Sequence, residues 1–314
     1  MKTIAVTGVS GYIGTKLLAS LDRTDSVQKI IGIDIREPRF KSTKLKFYQR
    51  DIRESLGDLF VENNVDTAVH LAFILQPTRQ ITLTRQIDIE GTKNLMEACR
   101  QASVKHLLYL SSHTVYGAHK DNPVLLTEDS PLRPVPGFQY SRDKIEIEKM
   151  LHDFIASNHD ITTTILRSCP VLGPNALGSA TTIMFQPLLM IGVAGYDPLM
   201  QFVHENDLMN LIEVFITQSK GGIFNVAGEG ALKYSEVARL LRKRLLKLPG
   251  ILLEAIISLS WAMHLQNASP TSGLEFIKYP PMVSTDKLQR ELGFRFKYST
   301  KESLSSFVAS LNTR

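Results

Sequence analysis

An apolar run that leads directly into regularly spaced glycines constrains the fold of this chain most strongly. Residues 2–8, KTIAVTG, are typical of a buried strand, and residues 12–23, YIGTKLLASLDR, have the apolar spacing of a helix. Apolar runs and helical stretches alternate after them, at 29–35, 44–51, 53–63, 66–72, 86–101 and 106–112. Strands that alternate with helices form a parallel sheet covered on both faces, with right-handed crossovers. The sequence therefore predicts a doubly wound α/β fold.

A second, smaller region is predicted after a helix from about Tyr140 to Ser157 and a sixth strand at 161–168. From about Pro170 the chain is interrupted by proline and glycine, and a strand at 221–228 and a helix at 235–247 follow. We expect a Rossmann domain at 1–169 with a return segment at about 200–228. The partly interleaved C-terminal substrate-binding region then comprises 170–199 and 229–314.

Composition and charge exclude several classes of protein. The 314 residues are 43% hydrophobic and 21% charged, an ordinary globular balance, and the net charge of +5 is spread along the chain. Nucleic acid is therefore not an expected partner. Cys99 and Cys169 lie far apart, and no Cys/His spacing suggests a disulfide framework or a metal site. The first residues enter a strand at once, which does not fit a signal peptide and leads us to expect a cytoplasmic protein.

The glycines of TGVSGYIG, which are Gly8, Gly11 and Gly14, stand between the first strand and the first helix. Phosphate oxygens reach backbone N–H groups at such a turn because no side chain intervenes, and the helix N-terminus favours negative charge. The spacing is one residue longer than the best-known dinucleotide fingerprint, and a plain tight turn is the alternative.

Asp34 ends the second strand, 20 residues after Gly14. A carboxylate there accepts hydrogen bonds from the adenosine ribose hydroxyls and repels a 2′-phosphate, which favours NAD over NADP. Arg36, two residues further on, weakens this preference. The alternative for Asp34 is an ordinary turn residue at the end of a strand.

Ten short motifs along almost the whole chain carry a resemblance to a known family: TGVSGYIG, GIDIRE, RDI, HLAF, DIEGTKNL, YLSSHTVYG, YSRDK, FVHENDL, FNVAG and STDKLQRELGF. With them the chain resembles the extended short-chain dehydrogenase/reductase family, in its epimerase/dehydratase branch. The resemblance implies an NAD cofactor and a homodimer formed through two helices of each subunit.

The resemblance also implies roles for individual residues. Ser112, Tyr140 and Lys144 would be catalytic. Asp51 and Ile52 would flank the adenine, while Leu71 and Ala72 would line the cofactor cleft. The cofactor-binding set would comprise Gly8, Gly11, Tyr12, Ile13, Gly14, Asp34, Arg36, Asp51, Ile52, Leu71, Ala72, Tyr140 and Lys144.

Physical chemistry supports the Tyr140–Lys144 pair independently. A free tyrosine has a pKa near ~10, and a neighbouring ammonium together with a cationic nicotinamide lowers it. Residues four apart share a helix face, and Ser112 could bond the same substrate oxygen to which Tyr140 passes a proton. The alternatives are a surface Tyr and Lys, and a strand-end serine that bonds the backbone.

Departures from the family pattern bear on the substrate. Pro170 and Met200 stand where nucleotide-sugar enzymes carry Asn and Arg for the diphosphate, and proline has no N–H to donate. His113 and Thr114 replace the acid and base of the dehydratases, so dehydration is disfavoured, and His113 could titrate near pH 7. With Trp261, we take His113, Pro170 and Met200 as candidate substrate-binding residues.

Two further positions carry expectations of their own. Asp88 replaces the usual Asn of the family's N-V-x-G-T motif and loses the amide donors. His204 is expected to be structural, with Asp207 capping the helix that follows.

The segment 239–266 is basic and amphipathic at first and then almost entirely apolar, with Pro249 and Gly250 between the halves. A transmembrane helix needs roughly 20 apolar residues and tolerates the internal Glu254 badly. We expect a helix that forms a lid or wall of the substrate cleft. An interfacial membrane contact and a dimer surface are the alternatives, since an apolar neighbour is required by Leu252, Leu253, Ile256, Ile257 and Trp261.

The sequence thus predicts an NAD-dependent oxidoreductase or epimerase-type enzyme that transfers a hydride at a secondary alcohol or ketone carbon of an unidentified small molecule. A nucleotide-sugar 4-epimerase and a non-catalytic NAD(P)-sensing protein are the alternatives.

Overall fold

A computed structural model describes residues 1–75, 79–177, 185, 189–265 and 271–311. Within these ranges, the chain forms thirteen strands: β1 (Lys2–Thr7), β2 (Val27–Asp34), β3 (Leu45–Gln49), β4 (Thr67–His70), β5 (His106–Ser112), β6 (Thr162–Ser168), β7 (Val171–Leu172), β8 (Leu189–Val193), β9 (Leu199–Met200), β10 (Val203–His204), β11 (Gly222–Val226), β12 (Leu232–Lys233) and β13 (Arg244–Leu248).

The described part also contains eleven α-helices: α1 (Tyr12–Asp22), α2 (Gly57–Glu62), α3 (Ile81–Arg85), α4 (Gly91–Gln101), α5 (Gln139–Ser157), α6 (Glu205–Gln218), α7 (Tyr234–Leu240), α8 (Gly250–Ala262), α9 (Gly273–Lys278), α10 (Asp286–Leu292) and α11 (Thr300–Leu311). A π-helical turn, Gln86–Glu90, joins α3 to α4, and a 3₁₀ turn, His113–Tyr116, follows β5.

Seven parallel strands form the main sheet in the order β11-β6-β5-β4-β1-β2-β3. The chain starts at the centre, moves outward to β3 and then crosses back to β4, so the strand order reverses beside β1. Ligands of such sheets bind at the carboxyl ends of the strands next to this reversal. Every predicted cofactor position before residue 73 ends or follows β1, β2, β3 or β4 at that edge.

Helices cover both faces of the main sheet, as a parallel sheet requires. On one face, α1 and α6 pack over β1 through side chains such as Leu17, Leu21 and Phe215. On the other, α2, α4 and α5 bury side chains such as Phe60 and Leu95. The strands and helices that alternate in the sequence therefore build two separate core layers, one on each face of the main sheet.

The C-terminal region is built from three two-stranded pairs, β10-β7, β12-β9 and β13-β8, together with α7 to α11. Its core gathers Met190, Met200, Phe202, Leu304 and Phe307. Between these parts, α6 and β11 return to the main sheet.

The helix predicted at 235–247 is wrong in its second half. Helix α7 ends at Leu240, Arg242 takes a positive φ of 56°, and Arg244–Leu248 form β13 instead. Strand β13 pairs in parallel with β8, which lies about fifty residues earlier. This long-range pairing overrides the helical spacing of the leucines.

The expected cap of α6 is also wrong. His204 is the N-cap residue, and its ring nitrogen accepts a hydrogen bond from Asn206 N at 3.2 Å. Asp207 instead accepts hydrogen bonds from the backbone N–H groups of Lys297 and Tyr298. The carboxylate therefore ties α6 to the segment before α11.

Candidate active site

The glycine turn between β1 and α1 has geometry that only glycine satisfies. Gly8 has a φ of +70°, and a Cβ on it would lie 2.7 Å from the backbone nitrogen of Ala72. A Cβ on Gly14 would lie 2.3 Å from the carbonyl oxygen of Gly8. Gly11 is the N-cap residue of α1 and has no side chain to bond the free N–H groups of the first turn. The turn therefore keeps backbone donors available to a phosphate.

Asp34 lies beside this turn at the end of β2. Its carboxylate accepts hydrogen bonds from Ser10 N at 3.0 Å and from Arg36 N at 3.1 Å. The Ser10 hydroxyl bonds the backbone carbonyl of Arg36. A carboxylate held next to the glycine turn suits ribose hydroxyls and opposes a third phosphate group, so these residues fit NAD.

The other predicted cofactor residues border the same edge of the sheet. The N–H groups of Leu71 and Ala72 bond Thr7, at 3.2 Å to its carbonyl and 3.3 Å to its hydroxyl. Ile52 is buried, and a Cβ added to Gly91 would lie 2.5 Å from it. Asp51 is paired with Arg53 at 2.6 Å, and this bond lowers the pKa of its carboxyl.

Tyr12 contributes its side chain to the protein rather than to the cleft. Its hydroxyl donates a 2.5 Å hydrogen bond to Glu205, and burial beside that carboxylate raises the pKa of the phenol. Glu205 also binds Lys16 at 3.1 Å and Asn175 at 2.6 Å. This buried carboxylate, which sequence reasoning missed, joins α1, α6 and the loop after β7. Ile13, on α1, is partly buried against the core.

The structure brings Ser112, Tyr140 and Lys144 together. Ser112 ends β5, Tyr140 is the second residue of α5, and the Ser112 side chain is near enough to act on the pKa of the Tyr140 phenol. Ser112 also accepts hydrogen bonds from the N–H and hydroxyl of Thr114, at 3.2 and 3.0 Å. The Lys144 ammonium donates to the Leu110 carbonyl at 2.8 Å.

The pKa of Tyr140 corrects the expectation that its lysine neighbour lowers it. Burial raises this pKa to about 12, although the neighbouring Ser112 acts in the opposite direction. The Lys144 ammonium lies 6.0 Å from the centre of the Tyr140 ring, and burial lowers its own pKa to about 7. The phenol is therefore a proton donor at neutral pH in the protein alone.

Two carboxylates, Asp88 in the π-helical turn and Glu148 on α5, oppose the lowering of the Lys144 pKa by burial. Asp88, in the π-helical turn, accepts a 2.9 Å hydrogen bond from Ile74 N through one oxygen, and no donor among the described residues reaches the other. Burial raises its pKa to about 7. Asp143 accepts from Arg85 at 2.5 Å and from Gln139 at 2.7 Å.

A buried ion pair connects β6 to α5 next to the end of β5. Arg167 Nη2 lies 2.7 Å from Glu148 Oε2, and both side chains are at most 3% exposed. Ser111 donates to Glu148 at 2.5 Å, and Arg167 donates to the Tyr116 hydroxyl at 2.9 Å. This network fixes β5, β6 and α5 relative to one another. In the sequence, the only sign of this network is Arg167, the one charged residue of β6.

The predicted substrate residues lie in different surroundings. His113 is buried, and the expectation that it titrates near pH 7 is wrong, because desolvation lowers its pKa to about 4. The Pro170 carbonyl accepts a hydrogen bond from Val203 N, and Met200 is buried in the C-terminal core. Trp261, on α8, lies under the guanidinium of Arg79, 4.0 Å from its ring centre.

Aromatic side chains that sequence reasoning missed border Tyr140. Phe73 meets its ring edge-on with centres 5.4 Å apart, and Phe138 lies at 6.1 Å. Phe276, from α9, is 4.5 Å from Phe138. The surroundings of the tyrosine are therefore strongly apolar.

The fold and this site define a dinucleotide-binding α/β protein with a Ser–Tyr–Lys set at the edge of its sheet. The model of the NAD dependent epimerase/dehydratase family matches residues 4–227, and the chain belongs to that family. Membership confirms the family, fold class and NAD-dependent enzyme type that the sequence predicts.

Comparisons with individual proteins show how far the similarity extends. An uncharacterised protein of Mycobacterium tuberculosis is 27% identical over 314 residues, which cover 98% of this chain and 83% of that protein. The UDP-glucose 4-epimerase of Bacillus subtilis is 27% identical over 190 residues, 56% of this chain and 54% of the relative.

Solved structures share the fold at low identity. The UDP-glucose 4-epimerase of Thermotoga maritima, with UDP-glucose, aligns with a TM-score of 0.78 at 19% identity and covers 99% of both chains. The UDP-glucuronic acid 4-epimerase of Bacillus cereus, in complex with NAD, has a TM-score of 0.76 at 19% identity and the same coverage.

Proposed function

We propose that this protein transfers a hydride between NAD and a secondary alcohol or ketone carbon of a small molecule. The observation that carries the proposal is that Ser112, Tyr140 and Lys144 meet at the carboxyl edge of the sheet, where Ser112 acts to lower the pKa of the Tyr140 phenol and the Lys144 ammonium lies 6.0 Å from the centre of its ring. Lys144 lies on the next turn of the same helix, and the glycine turn lies at the same edge.

Each catalytic residue has a role that its surroundings support. NAD, when bound, accepts or returns the hydride at the substrate carbon. Ser112 donates a hydrogen bond to the substrate oxygen, and Tyr140 gives that oxygen a proton in reduction or takes one in oxidation. The Lys144 ammonium stabilises the phenolate and holds the cofactor ribose. Because the pKa of Tyr140 is about 12, proton donation is the easier direction before the positive nicotinamide is present.

The cofactor proposal assigns the phosphates to the turn of Gly8, Gly11 and Gly14. Asp34 binds the adenosine ribose and favours NAD over NADP, with Arg36 as a weak counteracting charge. Asp51 and Ile52, after β3, flank the adenine, and Leu71 and Ala72, after β4, line the cofactor cleft. Residues 1–169 and 200–228 thus hold the cofactor, while 170–199 and 229–314 hold the substrate.

For the substrate, we propose an apolar alcohol or ketone without a diphosphate. Phe73, Phe138 and Phe276 surround Tyr140 with aromatic carbon. Pro170 and Met200 supply no donor where the nucleotide-sugar enzymes carry Asn and Arg. Apolar surroundings of this kind offer few hydrogen-bond donors to replace the water that a diphosphate would lose on binding.

A purified-enzyme assay with a panel of secondary alcohols and ketones tests the catalytic assignment. Tyr140→Phe should abolish NAD(H)-dependent turnover while leaving NAD affinity and the melting temperature close to wild type. Tyr48→Phe, which removes a hydroxyl bonded to Asn63 at the sheet edge, is the matched control and should stay active. Unchanged turnover in Tyr140→Phe would refute the assignment. NAD binding without turnover on any substrate would favour the sensor alternative.

Nucleotide-sugar 4-epimerisation is the second candidate, because relatives named UDP-glucose 4-epimerase are 27–30% identical over 56–57% of this chain. Calorimetric titration with UDP-glucose and UDP decides between the candidates. Our proposal expects no binding below the millimolar range, whereas micromolar binding with conversion to UDP-galactose would establish the alternative.

We further propose that the protein is a cytoplasmic homodimer, the state that the family resemblance implies. Cys99 and Cys169 are both free and buried, which suits a reducing compartment. Light scattering on the purified chain should give twice the monomer mass of 35.2 kDa. A monomer at micromolar concentration would exclude the dimer.

A further inference from the structure

Helix α8 is apolar around almost its whole circumference, yet it lies on the surface. Its sequence is GILLEAIISLSWA, and Leu253 is its single buried residue. A helix that is apolar on all sides normally lies in a core or in contact with lipid. Large side chains of α8 and the turn after it are instead exposed: Ile251 (84%), Leu252 (47%), Ile256 (49%), Leu259 (62%), Met263 (58%) and Leu265 (71%).

The helix has distinct inner and outer faces. Leu253 and Ile257 pack inward on Val193, Leu248 and Leu274. The outer stripe, at the helical spacing of four, three and four residues, consists of Leu252, Ile256, Leu259 and Met263. Glu254, the one charged residue of α8, is 47% exposed and lies 3.6 Å from Lys278. The outer stripe itself contains no charged residue.

The exposed apolar area continues onto the neighbouring strand pair. Leu189, Ile191 and Leu246 are 37%, 44% and 43% exposed, and Leu246 pairs with Ile191. Alternation along the strands places them on the same sheet face as Val193 and Leu248, which lie under α8. We call the outer stripe of α8 together with Leu189, Ile191 and Leu246 the apolar surface.

Basic residues border the apolar surface. Five of the nine residues before Leu248 are cationic: Arg239, Arg242, Lys243, Arg244 and Lys247. Arg244 pairs with Leu189 on the exposed strand face. Arg242 and Arg244 form no ion pair within the described part of the chain.

We propose that the apolar surface and its basic border bind the face of an anionic phospholipid bilayer, with α8 parallel to the membrane plane. Apolar side chains enter the boundary between headgroups and acyl chains, while the cations lie among the anionic headgroups. The helix has 13 residues and is about 20 Å long, which is too short to cross a hydrocarbon layer of ~30 Å. Among the described residues, no helix is long and apolar enough to span a membrane.

Charge favours a bilayer over a second copy of the chain. A two-fold contact through the apolar surface would place Arg242 and Arg244, which form no ion pair within the described part of the chain, near those of the partner, and only Glu254 among the α8 residues could offset them. An anionic lipid surface complements both the apolar area and the charge.

Co-sedimentation of the full chain with phospholipid vesicles tests the proposal. Binding is expected to vesicles of phosphatidylcholine mixed with phosphatidylglycerol, and to be much weaker to phosphatidylcholine alone or at high salt. Trp261 is the single tryptophan, so a blue shift of its emission on vesicle addition reports the contact from α8 itself.

Variants separate the two contributions. Leu252→Glu with Ile256→Glu should reduce vesicle affinity at least about tenfold, and so should Arg242→Glu with Arg244→Glu. These side chains are exposed, so the melting temperature should not change. The controls are Val124→Glu, a side chain 81% exposed outside the apolar surface, and Arg23→Glu with Lys41→Glu.

Three results would overturn the proposal. One is the absence of binding to anionic vesicles, and another is binding that the α8 variants leave unchanged. The third is a dimer in lipid-free solution that Leu252→Glu with Ile256→Glu dissociates, because the apolar surface would then bind a second copy.

Discussion

The ammonium of Lys144 donates a 2.8 Å hydrogen bond to the carbonyl of Leu110, two residues before Ser112. It also lies 3.8 Å from the centre of the Phe73 ring. The lysine is therefore held by β5 and by the loop after β4, and it reaches the tyrosine only at the longer distance of 6.0 Å from the ring centre. Lys144 is therefore a buried amine, and burial lowers its pKa to about 7, close to neutral pH.

Lys144→Met should separate catalysis from folding. The methionine fills most of the same space and removes a buried charge, so the melting temperature at pH 8 should be equal to or above that of wild type. Turnover should fall by about 10²–10⁴, because the phenolate loses its cation. Steady-state kinetics and thermal unfolding check this, with the exposed Lys149→Met on the same helix as the control. Full activity in Lys144→Met would contradict the assigned role.

Asp34→Ser should change the cofactor preference. The substitution removes the charge that repels a 2′-phosphate while keeping a hydrogen-bonding group beside Ser10 and Arg36. NADPH affinity relative to NADH should rise at least about tenfold, as measured by fluorescence titration. The exposed Asp160→Ser should leave the ratio unchanged, and an unchanged ratio in Asp34→Ser would place the adenosine ribose elsewhere.

Gly14→Ala should damage the cofactor turn. The added Cβ would lie 2.3 Å from the Gly8 carbonyl oxygen and 2.7 Å from the Val9 backbone, neither of which is a movable side-chain end. We expect a loss of roughly 1–3 kcal/mol in the free energy of unfolding and a loss of NAD binding. Gly273→Ala, where nothing lies within 4 Å of the added atom, is the control. Wild-type NAD affinity in Gly14→Ala would show that the turn is not the phosphate site.

Asp88→Asn should change how stability depends on pH. Burial raises the pKa of Asp88 from 3.8 to about 7, so between these values the folded protein keeps a proton that the unfolded chain has released. The free energy of unfolding of wild type therefore falls as the pH rises from 4 to 7, relative to the variant.

Urea unfolding at several pH values measures this difference. The free energy of unfolding of Asp88→Asn minus that of wild type should increase by about 2–4 kcal/mol between pH 4 and pH 7. Asp160→Asn, at an exposed position, should run parallel to wild type. Parallel curves for Asp88→Asn and wild type would mean that the carboxyl is ionised at no cost in the folded protein.

Arg167→Met should be the most destabilising of these substitutions. It leaves Glu148 buried without its partner, which costs roughly 3–5 kcal/mol. The double variant Arg167→Met with Glu148→Leu should recover part of that loss. Arg100→Met, which breaks an exposed pair with Glu97, should cost at most about 1 kcal/mol in the same denaturation experiment. Equal effects at the two arginines would show that the buried pair is not a structural support.

Local pattern was enough to predict the main sheet and its helices, because strand and helix periodicities there agree with the final packing. The predicted helix from Tyr140 to Ser157 is observed as Gln139–Ser157, and the strand near 161–168 as Thr162–Ser168. The leucines at 240–248 show the limit, since a helical spacing was overridden by pairing with β8. Local propensity is a weak prior wherever a distant strand supplies the partners.

The sequence by itself determined the doubly wound fold and the glycine turn, since both depend on short-range spacing, and its resemblance to the family predicted the Ser112, Tyr140 and Lys144 set. Tertiary structure alone decided the protonation of the site. His113 has a pKa near 4 rather than near neutrality, and that of Tyr140 is raised rather than lowered. Both follow from desolvation by residues far away in the chain, such as Phe73 against Tyr140, and no local spacing encodes that burial.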